Sequence, residues 1–211
     1  VCSSDLKLVR PFRERIRLRS PVEAIIRDSH GVEVRSHDRA GASHTARFDG
    51  VVLACHSDQA LALLADPSPL ERDILGAIRY QANEAILHTD RSLLPRRRRA
   101  WAAWNYHLLP TPADRVLVTY HMNTLQRLRA FCDFCVTLNR SDAIDPAQIL
   151  KRITYHHPVF TPEAIAAQQR HREINGQRRT WYCGAYWGFG FHEDGVKSAM
   201  VACESLRAGQ A

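Results

Sequence analysis

Strand and helix signals alternate at both ends of this chain around a central block of strand signals, which predicts an α/β protein whose middle part is α+β. Three observations carry this. Val51–Cys55 (VVLAC) is a continuous apolar run followed by a helical pattern, as in a strand buried on both faces. Short polar–apolar strands flank turn residues both before it and again between residues 80 and 156. Finally, Thr180–Met200 reads as a short strand, a glycine-rich aromatic loop and a helix. The expected division is residues 1–66, 67–176 and 177–211.

Taken in order, Arg13–Arg19 (RERIRLR) is a charged strand candidate with Ile16 and Leu18 on one face. Strands are expected at Val22–Arg27, Val32–Arg35 and Thr45–Phe48, joined by the Asp28–Gly31 cluster and closed by Asp49-Gly50, which makes a β-meander. After the apolar strand Val51–Cys55, Ser57 is the expected N-cap of a helix carrying Ala60, Leu61, Leu63 and Leu64. Leu70–Ile78 has apolar residues at helical spacing. Strands follow at Tyr80–Thr89, Trp101–Tyr106, Val116–Met122, Phe134–Asn139 and Lys151–His156. Thr161-Pro162-Glu163 opens a helix to about Arg172, with threonine at N-cap and proline at N1. Asn175-Gly176 then turns the chain into its last three elements.

Composition excludes several classes. With 45% hydrophobic and 24% charged residues among 211, the chain is ordinary for a globular protein. No apolar run is long enough to span a bilayer and no signal peptide is visible, so a cytoplasmic location is expected. The formal charge of +7 is almost all arginine, since Lys7, Lys151 and Lys197 are the only lysines. That spread favours general basicity over a nucleic-acid site, and no nucleic-acid partner is expected. The one dense cluster, Arg96–Arg99, is the candidate for peripheral contact with an anionic membrane. Six cysteines are too sparse for a disulfide scaffold. Cys132 and Cys135 have CxxC spacing but no second pair, which reads as two small apolar residues rather than a zinc or redox motif.

The richest stretch is TWYCGAYWGFGFHEDGVKSAM, Thr180–Met200. Gly184, Gly188, Gly190 and Gly195 interleave with Tyr186, Trp187, Phe189 and Phe191. Val196, Ala199, Met200 and Cys203 make one helical face. Asp194 is the expected N-cap of a helix opening near Gly195, and Gly209 is the expected stop. A glycine-rich loop feeding a helix N-terminus presents open backbone N–H groups and the positive end of the dipole. It suits a planar or anionic ligand, and equally suits a tight connection packing its rings inward. His192, Glu193 and Asp194 are adjacent at a helix start and cannot all aim at one ion, so no metal site is expected.

The run CGAYWGFGFHEDGVKSA resembles the C-terminal flavin-binding segment of the flavin amine oxidase superfamily, and more narrowly that of bacterial FAD-dependent oxidoreductases described as predicted NAD/FAD-binding proteins. VVLACHSDQALALL, YQANEAILHTD, LLPRRRRAWAAWNYH, FCVTLNR and TYHHPVFTP carry the same resemblance, which extends from about Pro21 to Ser205. It implies a partial two-dinucleotide-type FAD-binding fold, Rossmann-like, with an antiparallel-sheet substrate domain.

That resemblance implies FAD as cofactor. Backbone at Val22 would meet its adenine end, Ala54 and Cys55 its ADP moiety, and Gly184 its ribityl chain. Backbone at Glu193, Asp194, Gly195 and Val196 would face the flavin N1–C2=O edge. Tyr186 and Trp187 are candidates for a substrate wall. The strand–GxGxxG–helix fingerprint, which stands upstream of the meander in the family, is absent. The expectation is therefore a C-terminal portion of a longer flavoprotein, inactive alone. No lysine stands in a motif matching the one that amine oxidases place near flavin N5, and no catalytic base is assigned. The implied activity is dehydrogenation of a C–N or C–C bond of a small-molecule or acyl-lipid substrate, the aromatics Trp101 and Trp104 beside the basic run being compatible with the latter. The other reading is a non-catalytic basic module for anionic lipid or nucleic acid.

Overall fold

The computed structural model describes residues 7–110 and 114–209, and the chain divides into two units, Val1–Arg79 with Val159–Ala211, and Tyr80–Pro158. The expected boundaries near 66 and 176 lie elsewhere because the helices flanking them pack with the first unit rather than with the strands between.

In unit one, strands β1 (Val22–Asp28), β2 (Gly31–His37) and β3 (Ser43–Phe48) form an antiparallel sheet in sequence order. This is the expected meander. Its first turn is set by Asp28, whose Oδ1 accepts from the N–H groups of His30 (2.8 Å) and Gly31 (3.0 Å), an Asx turn. Strand β4 (Val51–Leu53) pairs in parallel with β10 (Thr180–Tyr182), Leu53 opposite Tyr182. The strand expected over Val51–Cys55 is thus shorter, and not buried on both faces. Leu53 is buried while Val52 is 47% exposed, so one face of β4 is covered and the other is open.

Helix α1 (Ser57–Leu63) starts one residue earlier than expected. His56 is its N-cap, and Ser57 is buried at N1 with its hydroxyl donating to the Ile78 carbonyl. Helix α2 (Pro69–Ala77) opens with a reciprocal capping box. The Glu71 N–H donates to Ser68 Oγ (3.2 Å) and the Ser68 N–H to Glu71 Oε2 (2.7 Å). Ile74 and Leu75 of α2 and the adjoining Ile78 are fully buried. Helix α3 (Pro162–Gln169) has the expected Thr161 cap, its Oγ1 accepting from Ala164 N–H (3.2 Å). The expected single helix to Arg172 breaks at Arg170, whose φ and ψ (−96°, 10°) leave the helical well; one further turn, α4 (His171–Ile174), follows. Helix α5 (His192–Ala208) lays Ala199, Ala202 and Leu206 against Trp181 and Cys183. Arg13–Arg19 is not a strand. Arg10–Arg15 instead forms a 3-10 turn with Pro11 as its second residue, and every side chain from Arg10 to Arg19 is exposed, so no sheet edge pairs with the segment.

Unit two is one antiparallel sheet of β5 (Tyr80–His88), β6 (Trp104–Tyr106), β7 (Val118–His121), β8 (Cys135–Leu138) and β9 (Ile149–Pro158), in the order β6-β7-β8-β5-β9. β6 begins three residues later than expected because Asn105 ties residue 102 into a turn, accepting from its N–H (3.2 Å) and donating to its carbonyl (2.8 Å). β9 outruns the expected Lys151–His156 because β5 pairs with it along its whole length. The register fixes two faces. One carries Trp104, Tyr106, Tyr120, Val136, Leu138 and Tyr155. The other carries Asn105, Thr119, His121, Cys135, Thr137 and His88.

Candidate functional site

The parallel pair β4/β10 brings two stretches of distant sequence to one end. Ala54 and Cys55 follow β4, and Cys183 and Gly184 follow β10. The carboxyl ends of parallel strands are where α/β folds bind ligands. Gly184 sits against Cys55, since a Cβ built on it would stand 3.6 Å from the Cys55 carbonyl oxygen and 2.5 Å from the Tyr186 ring. The first turn of α5 closes on the same loop, with Ala185 4.0 Å from a Cβ at Gly195. Ser198 staples helix to loop: its Oγ accepts from Gly184 N–H (2.9 Å) and lies 3.1 Å from the Gly184 carbonyl and 2.8 Å from that of Gly195. The structure therefore gathers Ala54, Cys55, Gly184, Asp194 and Gly195. Val22 lies in the other sheet of the unit, at the start of β1 opposite Ser36.

The helix start differs from expectation in a way that matters to a ligand. α5 begins at His192, and Asp194 is its third residue rather than its N-cap. The Asp194 carboxylate reaches back to accept from the N–H groups of Phe189 (3.0 Å) and Phe191 (3.1 Å), folding residues 188–191 over the helix end. The N–H groups of Asp194 and Gly195 themselves donate to the Phe191 carbonyl. Val196 is a turn further in, where i→i−4 pairing takes its N–H. The first-turn amides left to an incoming acceptor are those of His192 and Glu193.

The aromatic loop is partly buried. Tyr186 is 4% exposed, and the Trp187 ring stacks on His171 at 3.9 Å. Tyr186 and Trp187 were the expected substrate wall, but the open rings here are Phe189 and Phe191, 66% and 61% exposed. Gln168 of α3 holds the loop by donating to the carbonyls of Tyr186 (2.9 Å) and Gly188 (2.7 Å). His171 Nε2 lies 2.7 Å from the Tyr182 carbonyl; burial pushes its pKa down, against that backbone bond. Trp187 Nε1 is buried with no hydrogen-bond partner among the described residues. Burial raises the thiols of both Cys55 and Cys183, so neither is a thiolate nucleophile at neutral pH. The sequence reading missed Ser198 and Gln168. Their signal was weak: a serine on the small-residue face of the last helix, and a glutamine amid alanines.

In unit two His121, 5% exposed, sits between Thr124 Oγ1 (2.7 Å from Nδ1) and Asp133 Oδ1 (3.1 Å from Nε2). His157 pairs with Asn83 (3.0 Å), and His156 is exposed. Trp104 and Tyr120 meet edge to face at 5.1 Å on the opposite sheet face, where Trp104 and Tyr106 are 57% and 62% exposed. Among the described residues no three His, Cys, Asp or Glu side chains gather as an ion would require, and no helix is long and apolar enough to cross a membrane.

A meander leading into a parallel strand pair, with a glycine loop and helix at its carboxyl end, is a partial α/β arrangement with the strand ends where such folds take ligands. Residues 8–100 match the family model described as flavin containing amine oxidoreductase, a match that implies FAD as the cofactor. No curated protein matches the chain. Among solved structures it is similar to the CLA-producing fatty acid isomerase from P. acnes, with a TM-score of 0.61 and 16% identity over 88% of this chain and 47% of that one. It is similar also to two cofactor-binding redesigns of putrescine oxidase. The triple mutant matches with a TM-score of 0.62 and 8% identity over 96% of this chain and 52% of that one. The double mutant matches at 0.61 and 8% over 96% and 51%. These likenesses concern the fold, and the chain spans about half the length of the structures it matches.

Proposed function

We propose that this chain contributes the isoalloxazine-facing and substrate-facing portions of an FAD-dependent oxidoreductase that dehydrogenates a C–N or C–C bond. The observation that carries the reading is the convergence of Cys55, Gly184 and the first turn of α5 at the carboxyl ends of β4 and β10. The residues fit such a group. An orphaned buried donor, Trp187 Nε1, stands in the glycine loop, and the open amides of His192 and Glu193 lie at the positive end of a 17-residue helix. Bound FAD supplies the two-electron acceptor. His192 and Glu193 N–H would hold the electron-rich edge of the ring, where negative charge grows on reduction. Ala54 and Cys55 would line the ADP side. The exposed Phe189 and Phe191 are the apolar surface this unit offers to substrate.

The test is the flavin content of the protein isolated from its own cells. Flavin released on denaturation, in constant ratio to this chain, is the expected result; protein without flavin that also fails to take up added FAD overturns the reading. Glu193→Pro removes one first-turn N–H from a position where proline is tolerated. It should lower flavin retention several-fold with helix content unchanged; full retention moves the cofactor contact away from α5. Anaerobic bleaching of the bound flavin by amines or by unsaturated fatty acids then distinguishes C–N from C–C dehydrogenation.

A further inference from the structure

Unit two carries a closed loop with an apolar tip and an arginine-rich base. Residues 123–134 leave β7 and return into β8, and Asn123 clamps the neck. Its Nδ2 donates to the Cys132 carbonyl (2.9 Å), its Oδ1 accepts from Phe134 N–H (2.7 Å), and its carbonyl accepts from Leu128 N–H (3.0 Å). Beyond the neck Leu125, Leu128 and Phe131 are 43%, 39% and 99% exposed. Phe131 stands wholly in water and Leu125 and Leu128 remain partly in it, so folding gains little from the tip of this clamped loop.

The base of the loop is tied to the basic run. Asp133 is bonded by His121 and reached by Arg91 (3.5 Å) and Arg98 (3.9 Å). The Arg98 guanidinium lies 5.2 Å over the Trp101 ring, and Trp101 meets His121 edge-on at 5.0 Å. These contacts fasten Arg91 and the exposed run Arg96–Arg99 beside a loop that itself bears Arg127 and Arg129. Across residues 91–100 and 122–133 the sole acidic side chain is Asp133, already engaged.

We propose that this end of unit two docks on an anionic phospholipid bilayer, with Leu125, Leu128 and Phe131 entering the headgroup–acyl boundary and the surrounding arginines meeting lipid phosphates. Charge complementarity selects the anionic surface, because guanidinium groups pair with phosphate and keep their charge at any working pH. The apolar tip selects a bilayer over a soluble polyanion, which would reward the arginines alone.

Vesicle sedimentation of the intact chain tests this, with phosphatidylcholine alone, phosphatidylcholine containing phosphatidylglycerol, and duplex DNA as competitor. Binding should require phosphatidylglycerol and weaken as salt rises. Phe131→Ser should weaken it about tenfold, the order expected for a lost aromatic insertion. Arg96→Ser combined with Arg97→Ser and Arg99→Ser should weaken it by about fivefold per arginine. All these side chains are exposed, so folding is expected to survive, checked by circular dichroism. Equal binding to neutral vesicles overturns the proposal, as does no binding to anionic ones. Full-strength binding by Phe131→Ser, with loss only in the arginine variant and displacement by DNA, overturns it in favour of a soluble polyanion.

Discussion

Arg27 of β1 and Glu71 of α2, 44 positions apart in the chain, meet as a bidentate pair with both side chains 1% exposed, Nη1 to Oε1 at 2.5 Å and Nη2 to Oε2 at 2.9 Å. The pair is fully dressed. Tyr182 of β10 donates its hydroxyl to Glu71 Oε1 (2.6 Å), Ser68 N–H bonds Oε2, and Arg27 also reaches Asp66 and Thr180. One cluster thereby links the meander, α2 and the strand that leads to the glycine loop. Breaking such a pair from one side leaves a buried charge uncompensated, at a cost of about 3–5 kcal/mol. Glu71→Ala should lower the stability of unit one by that amount in urea unfolding. Arg27→Met combined with Glu71→Leu should recover much of the loss, because both charges then leave together.

The same pair sets an acid limit. Burial alone would push the Glu71 carboxyl up, but the Arg27 and Tyr182 bonds and the Ser68 N–H outweigh it and hold it down at about 2. The folded pKa is below the unfolded value of 4.5, so the unfolded chain binds the proton first. The stabilisation is complete above about pH 4.5 and is lost as pH falls toward 2, on the order of 3 kcal/mol in all. Urea midpoints should therefore decline between pH 5 and pH 3, each pH read at ~0.1 M salt. A flat profile, or one matched by Glu71→Gln, would remove Glu71 as the cause.

In unit two a buried hydrogen-bonded chain crosses three strands. His88 Nε2 lies 2.7 Å from Thr137 Oγ1, Thr137 Oγ1 lies 2.8 Å from Thr119 Oγ1, and Thr119 Oγ1 lies 2.8 Å from His107 Nε2. Three bonds need three hydrogens and the hydroxyls supply two, so one ring donates and the other accepts. Burial pushes both histidines down, for His88 against the opposing pull of Asp90, which keeps both rings neutral at pH 7. Protonating the accepting ring puts a hydrogen at each end of the chain and leaves one buried threonine hydroxyl hydrogen with no acceptor in it. Their folded pKa values lie below 6.5, so unit two is fully stabilised above that pH and weakens as pH drops through the lowered values. Thr137→Val should cost about 1–3 kcal/mol, seen as faster hydrogen exchange in peptides from residues 80–158. Thr137→Ser should retain most of the protection.

Much of this was legible from the chain. The meander was read at Val22–Phe48 because turn residues and alternation coincide there, and Thr161-Pro162 placed the start of α3. The glycine loop was legible because few other patterns interleave four glycines with four aromatics. What was not legible depends on tertiary partners. The apolar run Val51–Cys55 carries no mark of how far its pairing with β10 extends. Arg13–Arg19 alternates like a strand but has no edge to pair with. Asp194 before Gly195 looks like an N-cap; the chain folds back through Phe189 and Phe191 and makes it the third residue instead. That three-residue difference moves the first two helical amides from Gly195 and Val196 to His192 and Glu193. The Arg27–Glu71 pair was invisible, since nothing in the sequence links a mid-strand arginine to a helix-capping glutamate 44 residues away.

The glycines of the last loop separate two kinds of constraint. A Cβ on Gly184 would stand 2.5 and 2.7 Å from the Tyr186 ring, whereas one on Gly190, at φ +88°, would meet nothing within 4 Å. Gly190→Ala therefore pays only for its left-handed backbone, about 1 kcal/mol. Gly184→Ala must push Tyr186 out of a site where the ring is 4% exposed, which by analogy with overpacked cores costs about 1–3 kcal/mol. The displaced ring also loosens the Gln168 bond to the Tyr186 carbonyl and the Ser198 staple. Thermal unfolding should rank wild type above Gly190→Ala above Gly184→Ala. Combining Gly184→Ala with Tyr186→Leu, which removes the colliding ring edge, should restore part of the deficit; no recovery would remove the collision with the ring as the reason for glycine there.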